Sequence, residues 1–98
     1  MATHELKIWP EFFNAVLHGE KTFDVRYNDR AYQSGDIVEL REWDPAPDIQ
    51  YTGRTLSRVI TYVHHGWGPG QIEPLRGLVK GYCVLALKPI ERKEGVAS

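Results

Sequence analysis

Residues 5–28 read ELKIWPEFFNAVLHGEKTFDVRYN, and this stretch decides the fold. It opens with apolar Leu6 and Ile8 alternating with polar residues, a pattern typical of a short half-buried strand. Pro10 ends that strand and suits the first turn of a helix, while Gly19 stands where the helix would end. The pattern therefore predicts a strand, an amphipathic helix and a second strand, in that order.

The predicted helix carries one apolar stripe, made of Phe12, Phe13, Val16 and Leu17. We expect this stripe to cover one face or one end of a sheet, with both phenylalanines among the larger contributors to the core. The preceding Trp9 is also predicted to lie in the core.

The second strand is predicted over residues 22–28, where side chains alternate between two faces. Phe23, Val25 and Tyr27 form its apolar core, and the opposite face carries a polar row of Thr22, Asp24, Arg26 and Asn28. An arginine two residues from an aspartate on the same face can be oriented by the carboxylate. Its remaining donors can then bind a planar anion or a base edge. The polar row is therefore the predicted centre of function.

The rest of the chain reads as β structure separated by turn residues. Further strands are predicted at residues 37–43, 55–64 and 82–87, with turns at 28–30, 33–36 and 51–54 and a loop at 65–70. The predicted fold class is α+β, mainly β: a small antiparallel β-barrel or curled sheet of about five to six strands, with one helix near the N-terminus.

Length and composition predict one globular domain, spanning residues 1–92, with a flexible C-terminal tail at 93–98. No apolar run approaches the roughly 20 residues that span a bilayer, and the N-terminus has no signal-peptide pattern. The single Cys83 cannot form an internal disulfide. We expect a soluble, cytoplasmic, monomeric protein with no membrane partner. The net charge of −1 means that any binding to a polyanion must rely on a local site.

Gly19, Lys21, Asp24 and Arg26 form a Gly-x-Lys-x-x-Asp-x-Arg stretch between the helix and the second strand. This stretch resembles the signature of ASCH domains in the PUA-like superfamily, in which a glutamate is usual where Asp24 stands. Flanking blocks, including Gly35-Asp36 and residues 41–44 and 51–54, look like an uncharacterised bacterial and phage subfamily of the DUF3850 type. The resemblance implies a PUA-like β-barrel with a cleft beside the helix, and a tendency to bind RNA or modified nucleotides.

Some ASCH-like proteins are amidohydrolases that act on acylated pyrimidine nucleosides with a lysine, a threonine nucleophile and a glutamate. Lys21 matches that lysine, but Asp24 occupies the position of the threonine. A carboxylate cannot replace a hydroxyl nucleophile activated by a base. The resemblance therefore favours binding over this hydrolase chemistry.

The candidate ligand-binding residues are those that the resemblance and the polar row place near one cleft. They are Lys7, Lys21, Thr22, Asp24, Arg26, Asn28, Asp29, Arg30 and Trp43, with His4 as a further neighbour. The structural alternatives are a plain Asp24–Arg26 bridge, a lysine placed favourably near a helix end, and a polar turn at 28–30. The indoles of Trp43 and Trp67 are candidates for base stacking, although tryptophans also plug barrel edges.

No cofactor is expected, because the chain has no P-loop and no dinucleotide fingerprint. The four histidines and Cys83 lack the spacing of a zinc site, and Cys83 lies in an apolar run as a buried thiol would. We therefore expect no metal.

Three functional hypotheses follow from the sequence. The first is a module that binds RNA, or a free or modified nucleotide, in the cleft beside the helix, with DNA as another possible ligand. The second is a hydrolase acting on a nucleoside derivative or on RNA, in which Asp24 is the general base and Lys21 stabilises developing charge. The third is a phage or host regulatory module that binds a protein. The sequence favours binding over catalysis.

Overall fold

The computed structural model describes residues 1–46, 50–65, 78 and 81–90. Its elements are β1 (Thr3–Ile8), α1 (Pro10–Leu17), β2 (Phe23–Tyr27), β3 (Ile37–Asp44), β4 (Gln50–His65) and β5 (Tyr82–Pro89). Most of the predicted loop at 65–70 and the predicted tail at 93–98 lie outside the described residues. The single described helix has eight residues, far fewer than a bilayer crossing requires.

The strands form one curled sheet in the order β1-β3-β4-β5-β2, so β1 and β2 are its two edges. The mainly β prediction with one early helix is confirmed, in the form of a half-barrel. Three of the four strand pairs are antiparallel, as predicted, whereas β1 and β3 pair in parallel. The parallel pair is possible because α1 and β2 lie between these strands in the chain and provide the crossover that such pairing needs.

The hydrophobic core fills the concave side of the sheet, beneath α1. It consists of the inward-facing side chains of four strands together with two helical residues and one loop tyrosine. These are Leu6, Ile8, Phe13, Val16, Tyr32, Val38, Leu40, Ile60, Cys83, Leu85 and Leu87, all buried. The predicted inward face of β1, made of Leu6 and Ile8, is thus confirmed.

The helix buries a narrower stripe than predicted. Phe13 and Val16 are buried, but Phe12 is 43% exposed and Leu17 is 41% exposed. Adjacent helical residues are separated by about 100°, so an eight-residue helix lying on a curled sheet cannot bury two neighbours equally. Trp9, predicted in the core, precedes the helix and is 52% exposed. That prediction is wrong.

The second strand alternates as predicted, but the apolar residues do not form its buried face. Phe23, Val25 and Tyr27 are exposed, while Asp24 is 8% exposed. Asp24 pairs with Leu85 and Arg26 with Cys83, two core residues of β5, so the polar row points into the half-barrel. Paired residues of adjacent strands share a face. Ion pairing of Asp24 lowers the cost of burying its carboxylate there.

Residues 51–54 are not the predicted turn, because β4 runs unbroken through them. The glycine that suggested a turn, Gly53, has a φ of +99° at an irregularity in the β3–β4 pairing. Such bulges favour glycine. The neighbouring Thr52 and Arg54 both donate hydrogen bonds to the buried Glu42, at 2.6 and 2.9 Å, which ties the segment to β3.

Arg54 also ties the helix to the sheet. Its guanidinium forms two hydrogen bonds with Glu42, donates a third to Asn14 of α1 at 2.9 Å, and lies 4.4 Å from the centre of the Phe13 ring. These hydrogen bonds from Arg54 hold the pKa of Glu42 below its ordinary value, against the opposing effect of burial. The position of α1 is therefore set by polar contacts as well as by its apolar stripe.

Asp36 organises the start of the chain. Its carboxylate accepts the backbone N–H groups of Ala2 at 3.0 Å and Gln33 at 3.1 Å, and it lies 2.9 Å from Nε2 of His4. The His4 ring also meets Tyr32 edge-on, with ring centres 4.8 Å apart. The hydrogen bonds, led by that of His4, lower the pKa of Asp36 from 3.8 to about 2.

This shift predicts an acid-sensitive contribution to stability. A carboxyl group whose pKa is lower in the folded state stabilises the fold above its unfolded pKa, and the contribution is lost as pH falls towards the folded pKa. We expect stability to fall between about pH 4 and pH 2, and Asp36→Asn to remove part of this slope. Urea denaturation at several pH values measures it. Equal slopes for both proteins would contradict the assignment.

The ring of Tyr27 packs against Gly81, in the space that a larger side chain would fill. An added Cβ at Gly81 would lie 2.7 Å from Cε1 of that ring, and Gly81 has a φ of +91°. Gly35 has a similar φ of +95° but no atom near its Cβ position, so it serves as a matched control. We expect Gly35→Ala to cost about 1–2 kcal/mol from backbone strain alone. Gly81→Ala should cost more and shift the Tyr27 ring resonances. Equal costs would mean that the ring contact is unimportant.

Candidate functional site

The two edge strands meet along a seam that side chains bridge. Arg26 of β2 donates a hydrogen bond to the carbonyl oxygen of Lys7 at 2.8 Å, and Arg30 donates to that of Glu5 at 2.8 Å. Both carbonyl groups belong to β1, so Arg26 links β1 to β2, and Arg30 links β1 to the segment after β2. β1 and β2 are not neighbours in the sheet. The seam leaves space beside it.

A cavity of about 310 Å³ opens at the end of this seam that is nearest to the helix. We call it the seam cavity, and residues from β1, α1 and β2 line it: Lys7, Ile8, Trp9, Phe12, Asp24, Val25 and Arg26. Its volume is at the lower end of the range of about 300–1,000 Å³ that small-molecule sites occupy.

Asp24 is the electrostatic centre of the cavity wall. One carboxylate oxygen accepts a hydrogen bond from Nε of Arg26 at 2.6 Å, and the other lies 3.3 Å from Nζ of Lys21. Two cations, Lys21 and Arg26, therefore contact one carboxylate, and Lys7 also lines the cavity. The site is thus locally positive in a chain whose net charge is −1, and this arrangement suits an anionic ligand.

Hydrogen-bonding groups remain for a ligand. A guanidinium has five N–H donors, and Arg26 uses two of them on Asp24 and Lys7. The backbone of β2 contributes as well, since Thr22 and Asn28 bond towards β5 and the alternating register turns the amide groups of Val25 towards the seam. The cavity wall therefore offers both charged donors and a backbone donor and acceptor.

Aromatic rings extend the site along the outer side of β2. A second cavity, of about 260 Å³, shares Phe12, Asp24 and Val25 with the seam cavity and adds Lys21 and Phe23. The Lys21 ammonium lies 4.6 Å from the centre of the Phe23 ring, and Phe23 is 46% exposed. Exposed aromatic faces beside cations provide the surfaces on which bases stack.

A family match covers the site and nearly all of the sheet. Residues 3–87 match the model of a domain of unknown function, DUF3850. The chain belongs to the DUF3850 family. It is also 38% identical, over 60 residues, to an uncharacterised 12.9 kDa protein encoded in the GpA 3′ region of Escherichia phage P2. The match covers 61% of this chain and 52% of the phage protein, so this DUF3850 chain aligns with about half of that relative.

In this DUF3850 domain, Lys21 and Arg26 both contact Asp24, and Lys7 lines the seam cavity together with Asp24 and Arg26. Thr22 lies on the far side of Lys21, in a separate cavity of about 240 Å³ at the C-terminal end of α1. Trp43 lies beneath the Lys7 ammonium, 4.1 Å from Nζ to the ring centre, and is absent from the lining of the seam cavity. Their roles as ligand contacts remain predictions.

The other predicted site residues lie towards the opposite end of the seam. Asn28 donates its backbone N–H to Gly81, and its side-chain oxygen is buried without a partner in the described part of the chain. Asp29 and Arg30 form an exposed ion pair at 3.7 Å, and Arg30 also bridges the seam. His4 does not reach the cleft, because it is held by Asp36.

The described side chains hold no triad of His, Cys, Asp or Glu arranged as metal ligands. Cys83 is fully buried, and burial raises the pKa of its thiol, with further contributions from Asp24 and Asp29. A thiol with a raised pKa is poorly nucleophilic.

The second cavity, which Lys21 and Asp24 both line, contains part of what a hydrolase would need. Asp24 lies beside Lys21, as the catalytic hypothesis requires. Within the described ranges, however, both partners of Asp24 are cations, and no serine or threonine hydroxyl donates to it. A base must be hydrogen-bonded to the nucleophile that it activates, either directly or through a water molecule.

Sequence reasoning missed four residues that line the seam cavity: Ile8, Trp9, Phe12 and Val25. Trp9 and Phe12 were missed because both were predicted to be buried. One signal was available for Phe12. Adjacent Phe12 and Phe13 on a short helix cannot both face the sheet, so one of them had to be partly exposed. The exposure of Trp9 depends on the curl of the sheet, which no local pattern reveals.

Proposed function

We propose that this DUF3850 domain binds a nucleotide, free or within RNA, in the seam cavity. The observation that carries the proposal is the arrangement around Asp24, where a carboxylate orients Arg26 and Lys21 beside exposed aromatic rings. Arg26 and Lys21 would contact phosphate or base-edge acceptors, and Asp24 would accept a hydrogen bond from an exocyclic amine. Trp9 or Phe12 would stack on the base.

The proposal includes a distant relationship to the ASCH domains of the PUA-like superfamily. It is supported by the Gly-x-Lys-x-x-Asp-x-Arg stretch between α1 and β2 and by a curled sheet with an adjacent helix. Lys21 and Arg26 of that stretch each contact Asp24 directly. We further propose that the domain acts as a binding module in the bacterial cytoplasm, encoded by a bacterium or by a phage.

The test is a titration followed by isotope-edited amide spectra, using each of the four ribonucleoside monophosphates and the corresponding nucleosides. We expect at least one of them to shift the amides of residues 21–26 and the indole of Trp9. Trp9→Ala should weaken that binding by about fivefold or more, because one stacking surface is lost. Tyr51→Ala is the matched control, since Tyr51 is similarly exposed, at 44%, but lies near Arg41 instead of the cavity.

Other outcomes would overturn the proposal. No shift in residues 21–26 with any nucleotide, nucleoside or RNA oligomer would remove it. Turnover of a nucleoside derivative, abolished by Lys21→Ala, would replace the binding module with a hydrolase. A protein partner that stays bound after nuclease treatment, without any nucleotide effect, would favour the regulatory hypothesis.

A further inference from the structure

The outer face of β5, β2 and the last part of β4 is apolar and exposed. Cross-strand pairing places these outward side chains next to one another: Phe23, Val25, Tyr27, Tyr62, Tyr82, Val84 and Ala86. We call this surface the aromatic face. Four of its members are aromatic, and Tyr62 and Tyr27 are the most exposed, at 63% and 57%. The core residues Cys83, Leu85 and Leu87 occupy the opposite face of β5, so the core does not bury these rings.

On the described strands that form the aromatic face, the outward-facing charged side chain is that of Lys88. These segments, β2, β5 and residues 59–65 of β4, contain one carboxylate, that of Asp24. Its side chain points to the other side of the sheet. Lys88 continues the outward row of β5, and Lys21 lies against the Phe23 ring. By contrast, the outer face of β1 and β3 carries charges of both signs, with Glu5 paired to Arg41 at 3.8 Å. An aromatic surface flanked by cations complements a chain of bases and phosphates.

The rings of the aromatic face are also far enough apart for a separate base to stack on each. Phe23 and Tyr27 are four residues apart on one strand, which is about 13 Å. Tyr62 lies two strands from Phe23, or about 10 Å. Tyr27 meets Tyr82 edge-on at 5.4 Å and rests against Gly81, so this pair is held in place before any ligand arrives.

We propose that the aromatic face is a stacking surface for single-stranded RNA whose adjoining nucleotide occupies the seam cavity. This inference rests on the proposed function. The aromatic face is continuous with the second cavity, because Phe23 and Val25 belong to both. The second cavity in turn shares residues with the seam cavity. One nucleotide would bind in the cavity, and its neighbours in the strand would stack on the rings of β2, β5 and β4.

The experiment compares adenosine monophosphate with hexaadenylate, each titrated by fluorescence anisotropy competition or by amide shifts. We expect hexaadenylate to bind more tightly than the monophosphate. Tyr62→Ala should weaken hexaadenylate binding by between about fivefold and a hundredfold, and it should leave binding of the monophosphate unchanged. Tyr51→Ala, at the other end of β4, should change neither.

The outcomes separate the two proposals. Unchanged hexaadenylate binding by Tyr62→Ala overturns the stacking surface, even if the monophosphate still shifts Asp24 and Arg26. Hexaadenylate binding that depends on Tyr62, without monophosphate shifts in residues 21–26, supports the face and removes the cavity site. A wild-type dimer in sedimentation that Tyr62→Ala converts to a monomer would show that a second copy covers the face, and the RNA proposal would fail.

Discussion

Replacing Phe13 with alanine is expected to lower the free energy of unfolding by about 3–5 kcal/mol, the usual cost of deleting a fully buried phenylalanine. Phe13 is 2% exposed and joins α1 to the sheet beneath the Arg54 guanidinium. A domain of this size has a total stability of about 5–15 kcal/mol, so the loss is a large fraction of it. Urea denaturation followed by circular dichroism measures the change.

The adjacent Phe12 provides a control of identical chemistry. It is 43% exposed, so Phe12→Ala should change the free energy of unfolding by no more than about 1 kcal/mol. The same variant removes a ring from both cavities beside Asp24 and should weaken nucleotide binding. Equal losses of stability for the two variants would contradict the orientation of the helix.

Asp24→Asn is expected to weaken nucleotide binding by about tenfold or more, the effect of losing a charge-assisted hydrogen bond that orients a guanidinium. The amide keeps the shape of the carboxylate but presents an N–H donor to one of the two cations. The same change should cost about 1–2 kcal/mol of stability, a value reduced from that of a fully buried pair because Arg26 is partly exposed. Titration and denaturation of one preparation measure both effects.

Two further substitutions make that result specific. Asp29→Asn removes the same charge from an exposed ion pair on the same edge of the sheet, and we expect it to leave binding nearly unchanged. Asp24→Glu keeps the charge and lengthens the side chain by one methylene, and it should retain most of the affinity. If Asp24→Asn and Asp29→Asn weaken binding equally, the effect is one of net charge, and Asp24 does not orient Arg26.

The helix and the strands could be predicted from local patterns wherever a residue type is compatible with only one kind of secondary structure. Pro10 and Gly19 bound the helix, and the alternation around Val38 and Leu40 identifies both β3 and its inner face. Gly53 misled because a positive φ serves a turn and a bulge equally well. A bulge is distinguished from a turn only by the hydrogen bonds that the neighbours of Gly53 make to another strand.

The candidate site was predictable in its charges but not in its aromatic residues. Asp24 and Arg26 are two positions apart on a strand, so their contact follows from the period of the backbone. Which face of β2 is buried depends on the strand's place at the edge of the sheet and on the ion pair that accompanies Asp24 inward. Hydrophobicity alone therefore could not show that Phe23, Val25 and Tyr27 face solvent. The exposure of Trp9 follows in the same way from tertiary geometry.

The seam between β1 and β2 has a consequence for how this fold can vary. Backbone ladders fix both the spacing of two strands and their stagger, the latter in steps of two residues. Here the guanidinium groups of Arg26 and Arg30 replace the ladder, so the gap depends on side-chain length and rotamer. Replacing either arginine with a side chain of another length can therefore widen or narrow the opening of the seam cavity, and so change the size of ligand that it would admit. Every backbone pairing elsewhere in the sheet is preserved.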